Sequence, residues 1–157
     1  MKNTIKIGII GLGQIGNYLY NELNIRKKQI ELQTNKKIKI VGISAKNKNK
    51  KRKFKIDKNI FYSNPLKLIS DTKPDILFEL IGHPSGISKR SVELALKNKI
   101  HVITPNKALI AKHGNNLAKL AEQNRVNLEF EAAVGGGIPI LRAIKEGLST
   151  NRISKVY

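Results

Sequence analysis

Six consecutive residues near the N-terminus have the spacing of a phosphate-binding turn. Gly11-Leu12-Gly13-Gln14-Ile15-Gly16 fits the pattern Gly-x-Gly-x-x-Gly, which holds a dinucleotide when it follows a strand and opens a helix. Gly11 would permit the tight turn, Gly13 would let the backbone approach a pyrophosphate, and Gly16 would let the helix pack closely on the strand. Amides at the helix N-terminus would then face the phosphates. An ordinary glycine-rich turn is the alternative.

A second candidate is Lys107, which follows a predicted strand and the turn Thr104-Pro105-Asn106. In a doubly wound sheet, ligands bind at the edge where the strands end. The helix dipole disfavours a cation in the first helical turn by roughly 0.3–1 kcal/mol. A role beside an anionic ligand, or beside a developing negative charge, would explain the lysine. The alternative is a surface lysine that points into solvent.

The end of the second predicted strand bears on the choice of cofactor. NAD-preferring sites usually place an acidic residue there to bind the ribose, but here the sequence reads Ser44-Ala45-Lys46. Cations in the following loop could attract the extra phosphate of NADP, which a carboxylate would repel; they are Lys46, Lys48, Lys50, Lys51 and Arg52. We therefore predict a preference for NADP, with NAD as the other possible cofactor. The alternative is that a lysine-rich chain places lysines in every loop.

The elements that must position these residues alternate between strands and helices. Short apolar runs predict strands at residues 5–10, 38–43, 75–81, 100–103 and 126–130. Helical spacing predicts helices that bury Ile15, Tyr18, Leu19 and Leu23, then Val92, Ala95 and Leu96, then Leu109, Leu117, Leu120 and Ala121. Asn106 should cap the last of these helices, over residues 107–123. The alternation predicts an α/β fold, a Rossmann-type doubly wound parallel sheet.

Composition narrows the classes of partner. A net charge of +19 would favour anionic partners, but lysine supplies most of the cations and aromatic residues make up only 5% of the chain. Base stacking and bidentate arginine contacts are therefore poorly provided for, and we expect no nucleic-acid partner. The chain has no cysteine, and the apolar run of residues 5–10 is too short to span a membrane. We expect no membrane partner and a cytoplasmic location.

The alternating pattern breaks at Gly135-Gly136-Gly137-Ile138-Pro139. A helix carrying Ile138, Leu141, Ile144 and Leu148 should follow, and then a strand from residue 152 to Tyr157. An apolar strand that stops abruptly leaves backbone groups unpaired, so we expect a truncated chain. The expected domains are a dinucleotide-binding domain at residues 1–134, and a hinge with the beginning of a second domain at residues 135–157.

Four blocks of sequence, taken together, resemble homoserine dehydrogenase. They are the turn at residues 11–16, Glu79-Leu80-Ile81-Gly82, Thr104-Pro105-Asn106-Lys107-Ala108-Leu109, and residues 130–139, Phe-Glu-Ala-Ala-Val-Gly-Gly-Gly-Ile-Pro. The last two blocks are the most specific. The resemblance covers nearly the whole chain, in the right order, but only the front part of the family's length. One departure is His83, where relatives commonly have a second glycine.

The resemblance implies an NAD(P)-dependent oxidoreductase that interconverts L-homoserine and L-aspartate 4-semialdehyde, in the pathway to threonine, methionine and isoleucine. Thr104 and Lys107 would lie near the nicotinamide, where Lys107 could stabilise the oxyanion during hydride transfer. The positions that would lie along the rest of the cofactor are Leu12, Gly13, Gln14 and Ile15.

The resemblance also implies that this chain lacks part of the catalytic machinery. By the resemblance, residues 135–157 begin the family's catalytic domain, which binds the substrate and forms the dimer. The substrate-binding glutamate and the acid–base pair of that domain would lie beyond Tyr157, the last residue of the sequence. Reduction of an aldehyde needs a proton as well as a hydride. We therefore expect the chain alone to be inactive, and a homodimer only in the full-length enzyme.

The family also binds a structural monovalent cation, such as sodium, in the turn before its second domain. The matching positions are Glu131, Val134, Gly136 and Ile138. Backbone carbonyl oxygens suit a hard cation, although a flexible glycine hinge explains the same residues. The main alternative for the whole chain is a non-catalytic NADP-binding module or redox sensor. A different Rossmann dehydrogenase, acting on an amino acid or its semialdehyde, is the third reading.

Overall fold

A computed structural model describes residues 3–47, 52, 55–148, 150, 152 and 155, with only the backbone at residue 145. Six strands form one sheet in which every pairing is parallel. Their order across the sheet is β3-β2-β1-β4-β5-β6. The strands are β1 Thr4–Ile10, β2 Lys37–Ser44, β3 Phe61–Tyr62, β4 Ile76–Glu79, β5 His101–Ile103 and β6 Leu128–Glu129. The predicted α/β fold with a doubly wound parallel sheet is confirmed.

Helices connect the strands. They are α1 Gln14–Ile25, α2 Lys27–Thr34, α3 Pro65–Thr72, α4 Ile87–Lys97, α5 Lys107–Asn124, α6 Glu131–Val134 and α7 Ile140–Arg142. A 3₁₀ turn covers Lys58–Ile60, and a π-helical turn, Ala143–Gly147, continues α7. No described helix is both long enough and apolar enough to cross a membrane.

The core has two layers because the central strand sends alternate side chains to opposite faces of the sheet. On one face, Ile10 packs with residues of α3, α4 and α5, including Leu68, Leu96 and Leu117. On the other face, Ile9 packs with Leu12, Tyr20, Ile38 and Ile43 beneath α1. All of these side chains are less than one-tenth exposed. Burial on both faces therefore explains the apolar runs that predicted the strands.

The sequence pattern predicted the cap of α5 correctly but the buried face of α1 only in part. Asn106 caps α5 as predicted, since its Oδ1 accepts a hydrogen bond from the Leu109 amide at 3.1 Å. The predicted face of α1 is partly wrong, because Ile15 and Tyr18 are 58% and 63% exposed whereas Tyr20 is buried. The sequence analysis did not predict Tyr20 in the core. It packs with the apolar residues of β1 and β2.

Glu31 of α2 fastens that helix to the start of β2. Its Oε1 accepts a hydrogen bond from the Ile38 amide at 2.9 Å, and its Oε2 lies 3.4 Å from Nζ of Lys37. The backbone hydrogen bond from Ile38, assisted by the charge of Lys37, lowers the pKa of the Glu31 carboxyl. The ionised carboxylate therefore stabilises the contact between α2 and the start of β2 more than the protonated form does.

The C-terminal helix differs from its prediction. It begins at Ile140 with Pro139 as its N-cap, so Ile138, which was predicted to lie on the helix, precedes it. The helix becomes π-helical at Ala143. A hydrogen bond from Nε of Arg142 to Glu146 raises the pKa of the arginine.

Two predicted segments fall largely outside the described residues. One is the strand predicted from residue 152 to Tyr157, of which only residues 152 and 155 are described, so that Tyr157 itself lies outside them. The other is the basic loop after β2, where residues 48–51 and 53–54 lie outside the described part of the chain; they include Lys48, Lys50 and Lys51. The strand and the role of these three lysines therefore stay predictions.

Candidate active site at the carboxyl edge of the sheet

The strand order reverses direction at β1, and a cleft opens where it does. β1 pairs with β2 on one side and with β4 on the other, so the connections leave to opposite sides and the strand ends separate. The cleft has a volume of about 1020 Å³. Its lining comes from the turn after β1, the end of β2 with the residues that follow it, and the segment after β4; it consists of Ile10, Gly11, Leu12, Gly13, Ser44, Ala45, Lys46, Asn47, Arg52, Ser63, Pro65, Leu80, Ile81, His83 and Ile87.

The glycine turn joins β1 to α1 at the mouth of this cleft. Gly11 has a φ of +94°, and a Cβ atom there would lie 2.5 Å from the backbone of Leu80. Gly16 is buried, and a Cβ atom there would collide with the carbonyl oxygen of Gly11. A Cβ atom at Gly13 would meet no heavy atom within 4 Å. Gly11 and Gly16 are thus required by packing, whereas Gly13 leaves open space at the helix N-terminus.

Some of the predicted site residues meet in the cleft and others do not. Gly11, Leu12, Gly13, Lys46 and Arg52 line it. Of the other described candidates, none lines it: Gln14 and Ile15 are exposed at the start of α1, Gly16 is buried beneath the turn, Thr104 is buried, and Lys107 is exposed at the start of α5.

The end of β2 carries no acidic side chain into the cleft. Ser44 is buried, and its carbonyl oxygen accepts a hydrogen bond from the Gly11 amide at 2.8 Å. Beyond it, Lys46 lines the cleft together with Arg52, whose Nη2 donates to the carbonyl of Asn47 at 2.7 Å. The side of the cleft next to β2 is therefore cationic.

Glu79, the last residue of β4, is completely buried at the same edge of the sheet. Its Oε1 accepts hydrogen bonds from the Ile81 amide at 2.9 Å and from Oγ of Ser88 at 2.8 Å. Its Oε2 accepts from Oγ1 of Thr104 at 2.6 Å and from Nδ2 of Asn106 at 3.3 Å. The Ile81 contact turns the chain away, so β4 ends at Glu79, two residues before the predicted end.

Asn106 extends this network toward the cleft. Its Nδ2 also donates to the carbonyl oxygen of His83 at 2.8 Å and to Oγ of Ser88 at 3.1 Å. Its backbone amide donates to Oγ1 of Thr104 at 3.1 Å. Glu79, Ser88, Thr104 and Asn106, all buried, are called here the Glu79 network.

Two features of the site were not expected from the sequence. The three histidines of the sequence have no spacing typical of metal or substrate ligands, yet His83 lines the cleft, and its carbonyl oxygen accepts a hydrogen bond from Asn106. In the Glu79 network, Glu79 binds Ser88, Thr104 and Asn106, which lie 9, 25 and 27 positions away in the chain. The signal available in the sequence was an acidic residue at the end of an otherwise apolar strand, which is unusual unless the acid is paired or hydrogen-bonded.

The glycine-rich turn for which a cation was predicted is held by a carboxylate. Glu131 accepts hydrogen bonds from the amides of Leu141 at 2.8 Å and Arg142 at 3.0 Å, so its side chain caps α7. Gly136 has a φ of +62°. Among the described residues, no group of three or more acidic or histidine side chains could hold a metal ion. A cation in this turn would therefore depend on backbone carbonyl oxygens.

Comparison with known proteins identifies relatives that share this sequence and fold. Residues 11–131 match the sequence family described as homoserine dehydrogenase, NAD binding domain. The chain is 36% identical over 152 residues to a homoserine dehydrogenase of Neisseria gonorrhoeae, covering 97% of this chain and 34% of the relative. A homoserine dehydrogenase of Bacillus subtilis is 34% identical over 98% of this chain and 35% of the relative. The chain thus spans about a third of the length of these curated relatives.

A solved structure gives the same result. The crystal structure of a homoserine dehydrogenase from Thiobacillus denitrificans superposes with a TM-score of 0.80 at 34% identity, covering 96% of this chain and 34% of that one. The range matched by the family, residues 11–131, contains the glycine turn, the Glu79 network and the turn before Lys107. The chain therefore belongs to the homoserine dehydrogenase family and contains that family's NAD-binding domain.

Proposed function

We propose that this chain is the part of a homoserine dehydrogenase that binds the nicotinamide cofactor, with NADP preferred over NAD. The observation that carries the proposal is the position of the glycine turn at the point where the strand order reverses. Open space at Gly13 suits a pyrophosphate, as do the first-turn amides of α1, which have no partner within the helix and no described side-chain cap. Gly11, Leu12, Gly13, Gln14, Ile15 and Gly16 would form this part of the cofactor site.

The preference for NADP rests on the charge of the cleft beside β2. Lys46 and Arg52 line this side, and the residues at the end of the strand, Ser44 and Ala45, are uncharged. In a dinucleotide-binding fold of this kind the adenosine ribose lies at the end of the second strand. The two cations would attract a 2′-phosphate there, and no carboxylate would accept hydrogen bonds from an unmodified ribose.

The proposed reaction is the interconversion of L-homoserine and L-aspartate 4-semialdehyde. Reduction of an aldehyde needs a hydride and a proton, and the bound nicotinamide cofactor supplies the hydride. Thr104 directly follows β5, and Lys107 is the first residue of α5. Lys107 is assigned the role of stabilising the negative charge that develops on the carbonyl oxygen. Its exposed ammonium group is free of any described ion pair.

The remaining parts of the proposal derive from family membership. They are a role in threonine, methionine and isoleucine biosynthesis and a homodimer formed by a longer protein. The proposed cytoplasmic location and the proposed absence of a nucleic-acid partner rest instead on the composition and the short apolar runs of the sequence. The domains are proposed to meet near residue 134, where the glycine-rich turn begins, and the acid–base pair that handles the proton is proposed to lie beyond Tyr157. Because the chain spans a third of its relatives, we expect the purified chain to bind cofactor without turning over homoserine.

The test is a titration of the purified chain with NADPH and with NADH, followed by nicotinamide fluorescence. Tighter binding of NADPH is expected, together with no oxidation of homoserine in the presence of NADP. Tighter binding of NADH would reject the NADP preference alone. A chain that binds neither dinucleotide would reject the proposed cofactor site.

We also propose that a monovalent cation binds to carbonyl oxygens of Glu131, Val134, Gly136 and Ile138. The oxygen donors suit a hard cation such as sodium, and the positive φ of Gly136 supports the turn that would present them. Melting in sodium chloride should exceed melting in choline chloride of equal ionic strength. Gly136→Ala strains the turn and should abolish the difference, whereas equal melting of the unaltered chain in both salts would reject the cation.

A further inference from the structure

Glu79 has a hydrogen-bonding environment that is complete without a cation. Each of its four partners donates: the Ile81 amide and the Ser88 hydroxyl to Oε1, the Thr104 hydroxyl and the Asn106 amide to Oε2. An ionised carboxylate can only accept hydrogen bonds, and it has room for all four. Among the described residues no lysine, arginine or histidine forms an ion pair with it. The group is thus held by neutral donors from the segments that follow β4 and β5, from α4 and from the N-cap of α5.

Packing alone gives a weak reason for a carboxylate at this position. Removing a charge from water is costly, and an apolar residue of similar volume often stabilises a buried site equally well or better. A network in which every polar group is satisfied instead fixes the relative positions of its members. Here the members are the end of β4, the start of α4, the end of β5 and the cap of α5. The Glu79 network therefore sets the shape of this edge of the sheet.

The network lies on one side of the cleft only. Dinucleotide-binding folds consist of two halves, and the half that contains the glycine turn and β2 takes the adenosine part of the cofactor. β4 and β5 belong to the other half. Through Asn106 the network holds the carbonyl of His83, which lines the cleft, and it holds Thr104 in the turn that precedes Lys107. The parts it orders are those that would face the nicotinamide.

We propose that Glu79 is a positioning residue that fixes the nicotinamide half of the cofactor site, acting through Ser88, Thr104 and Asn106. The inference rests on the proposed function, because it needs a dinucleotide bound across the cleft. Glu79 itself is completely buried and does not line the cleft. Its effect is conveyed by the backbone of the His83 turn and by the turn that precedes Lys107.

The experiment compares two ligands on the same chain. NADPH spans both halves of the cleft, whereas 2′-phospho-ADP-ribose has the adenosine, its phosphates and the second ribose but no nicotinamide. In Glu79→Gln an amide NH₂ replaces one acceptor oxygen, so at least one of the four donors loses its partner. We expect NADPH binding to weaken about tenfold, in line with the loss of a buried hydrogen bond to a charged group. Binding of 2′-phospho-ADP-ribose should change by less than about twofold.

A second variant protects the test against misfolding of the first. Ser88→Ala removes the hydroxyl that donates to Glu79 and accepts from Asn106, and it introduces no new polar group. It should show the same selective loss of NADPH affinity. The matched control is Glu93→Gln on α4, which changes a glutamate in a surface ion pair with Lys89. It should leave both affinities unchanged.

The possible results separate the two proposals. If the variants lose affinity for both ligands by the same factor, the role of Glu79 is merely structural and the inference is overturned. Unchanged NADPH affinity in folded Glu79→Gln and Ser88→Ala would also overturn it. In either case the unaltered chain still binds NADPH and the proposed function stands. If the unaltered chain binds neither ligand, the proposed function fails and the inference fails with it.

Discussion

Gly16 of α1 packs directly against the carbonyl oxygen of Gly11, so closely that a Cβ atom at position 16 would overlap that oxygen. Between them, Gly13 faces open space and has a φ of −74°, which any L-residue can adopt. One turn therefore contains a glycine that the fold requires and a glycine that the fold could replace. The two positions can separate folding from ligand binding.

Gly16→Ala should destabilise the chain by roughly 1–3 kcal/mol, because an overpacked site forces α1 away from β1. Gly13→Ala should unfold within about 0.5 kcal/mol of the unaltered chain, yet bind NADPH at least about tenfold more weakly if the pyrophosphate approaches that backbone. Urea unfolding and fluorescence titration measure the two effects. Gly147→Ala, in another open position outside the cleft, is the control. Full NADPH affinity in Gly13→Ala would place the pyrophosphate elsewhere.

Lys46→Ala should reduce the preference for NADPH over NADH. A charge near the 2′-phosphate contributes on the order of 1 kcal/mol in partly screened solvent, or about fivefold in affinity, whereas NADH has no such phosphate. The loss should shrink in high salt. Lys58→Ala changes an exposed lysine that does not line the cleft and should leave the ratio of the affinities unaltered. A similar ratio in Lys46→Ala and the unaltered chain would contradict the assignment.

Lys107→Ala should make the chain slightly more stable while lowering its affinity for NADPH. Removing a cation from the first turn of α5 relieves an unfavourable interaction with the helix dipole of roughly 0.3–1 kcal/mol. Thermal unfolding should show that gain, and NADPH binding should weaken. Lys112→Ala, at an exposed position within α5, should not affect binding. A variant at position 107 that binds NADPH normally would argue against a contact between Lys107 and the cofactor.

Glu31→Gln should lower stability at neutral pH and have no effect in acid. The pKa of Glu31 is lowered in the folded chain, chiefly by the Ile38 amide. The unfolded chain therefore binds more protons in the range just below the ordinary value of 4.5, and stability rises with pH there. The contribution is fully present above that value and disappears as the pH falls through the lowered pKa. Urea midpoints at several pH values measure it, and a difference that stays constant into acid would contradict this account.

The fold was more predictable than the detail of its faces. Continuous apolar runs identified five strands, because strands buried on both faces have few polar positions. The alternation of these strands with helices indicated that they are parallel. β3 was not predicted, since a strand of two residues carries too little periodic signal. The start of α3 did carry a signal, Asn64 followed by Pro65, and Asn64 caps that helix. The burial of Tyr20 in place of Tyr18 depends on how α1 rests on the sheet, which spacing within one helix does not determine.

The candidate site divides in the same way. Its local part, the glycine turn and the capped turn before Lys107, could be located because each is a contiguous segment with known backbone requirements. The Glu79 network could not, since Thr104 and Asn106 meet Glu79 only after β4 and β5 have paired. The position of His83 in the lining of the cleft likewise depends on tertiary contacts. Long-range contacts of this kind leave no spacing in the sequence.

The central place of β1 also sets the order in which the chain can fold. Its pairing with β2 requires residues up to Ser44, but its other edge stays open until β4 arrives, where Ile7 meets Ile76. During synthesis, Ile10 and its neighbours must therefore wait for dozens of further residues before that edge is closed. Closing such a loop costs entropy before any contact repays it, so folding should be slower than in a helical domain of equal size. In the meantime the first strand made is the one most exposed to aggregation.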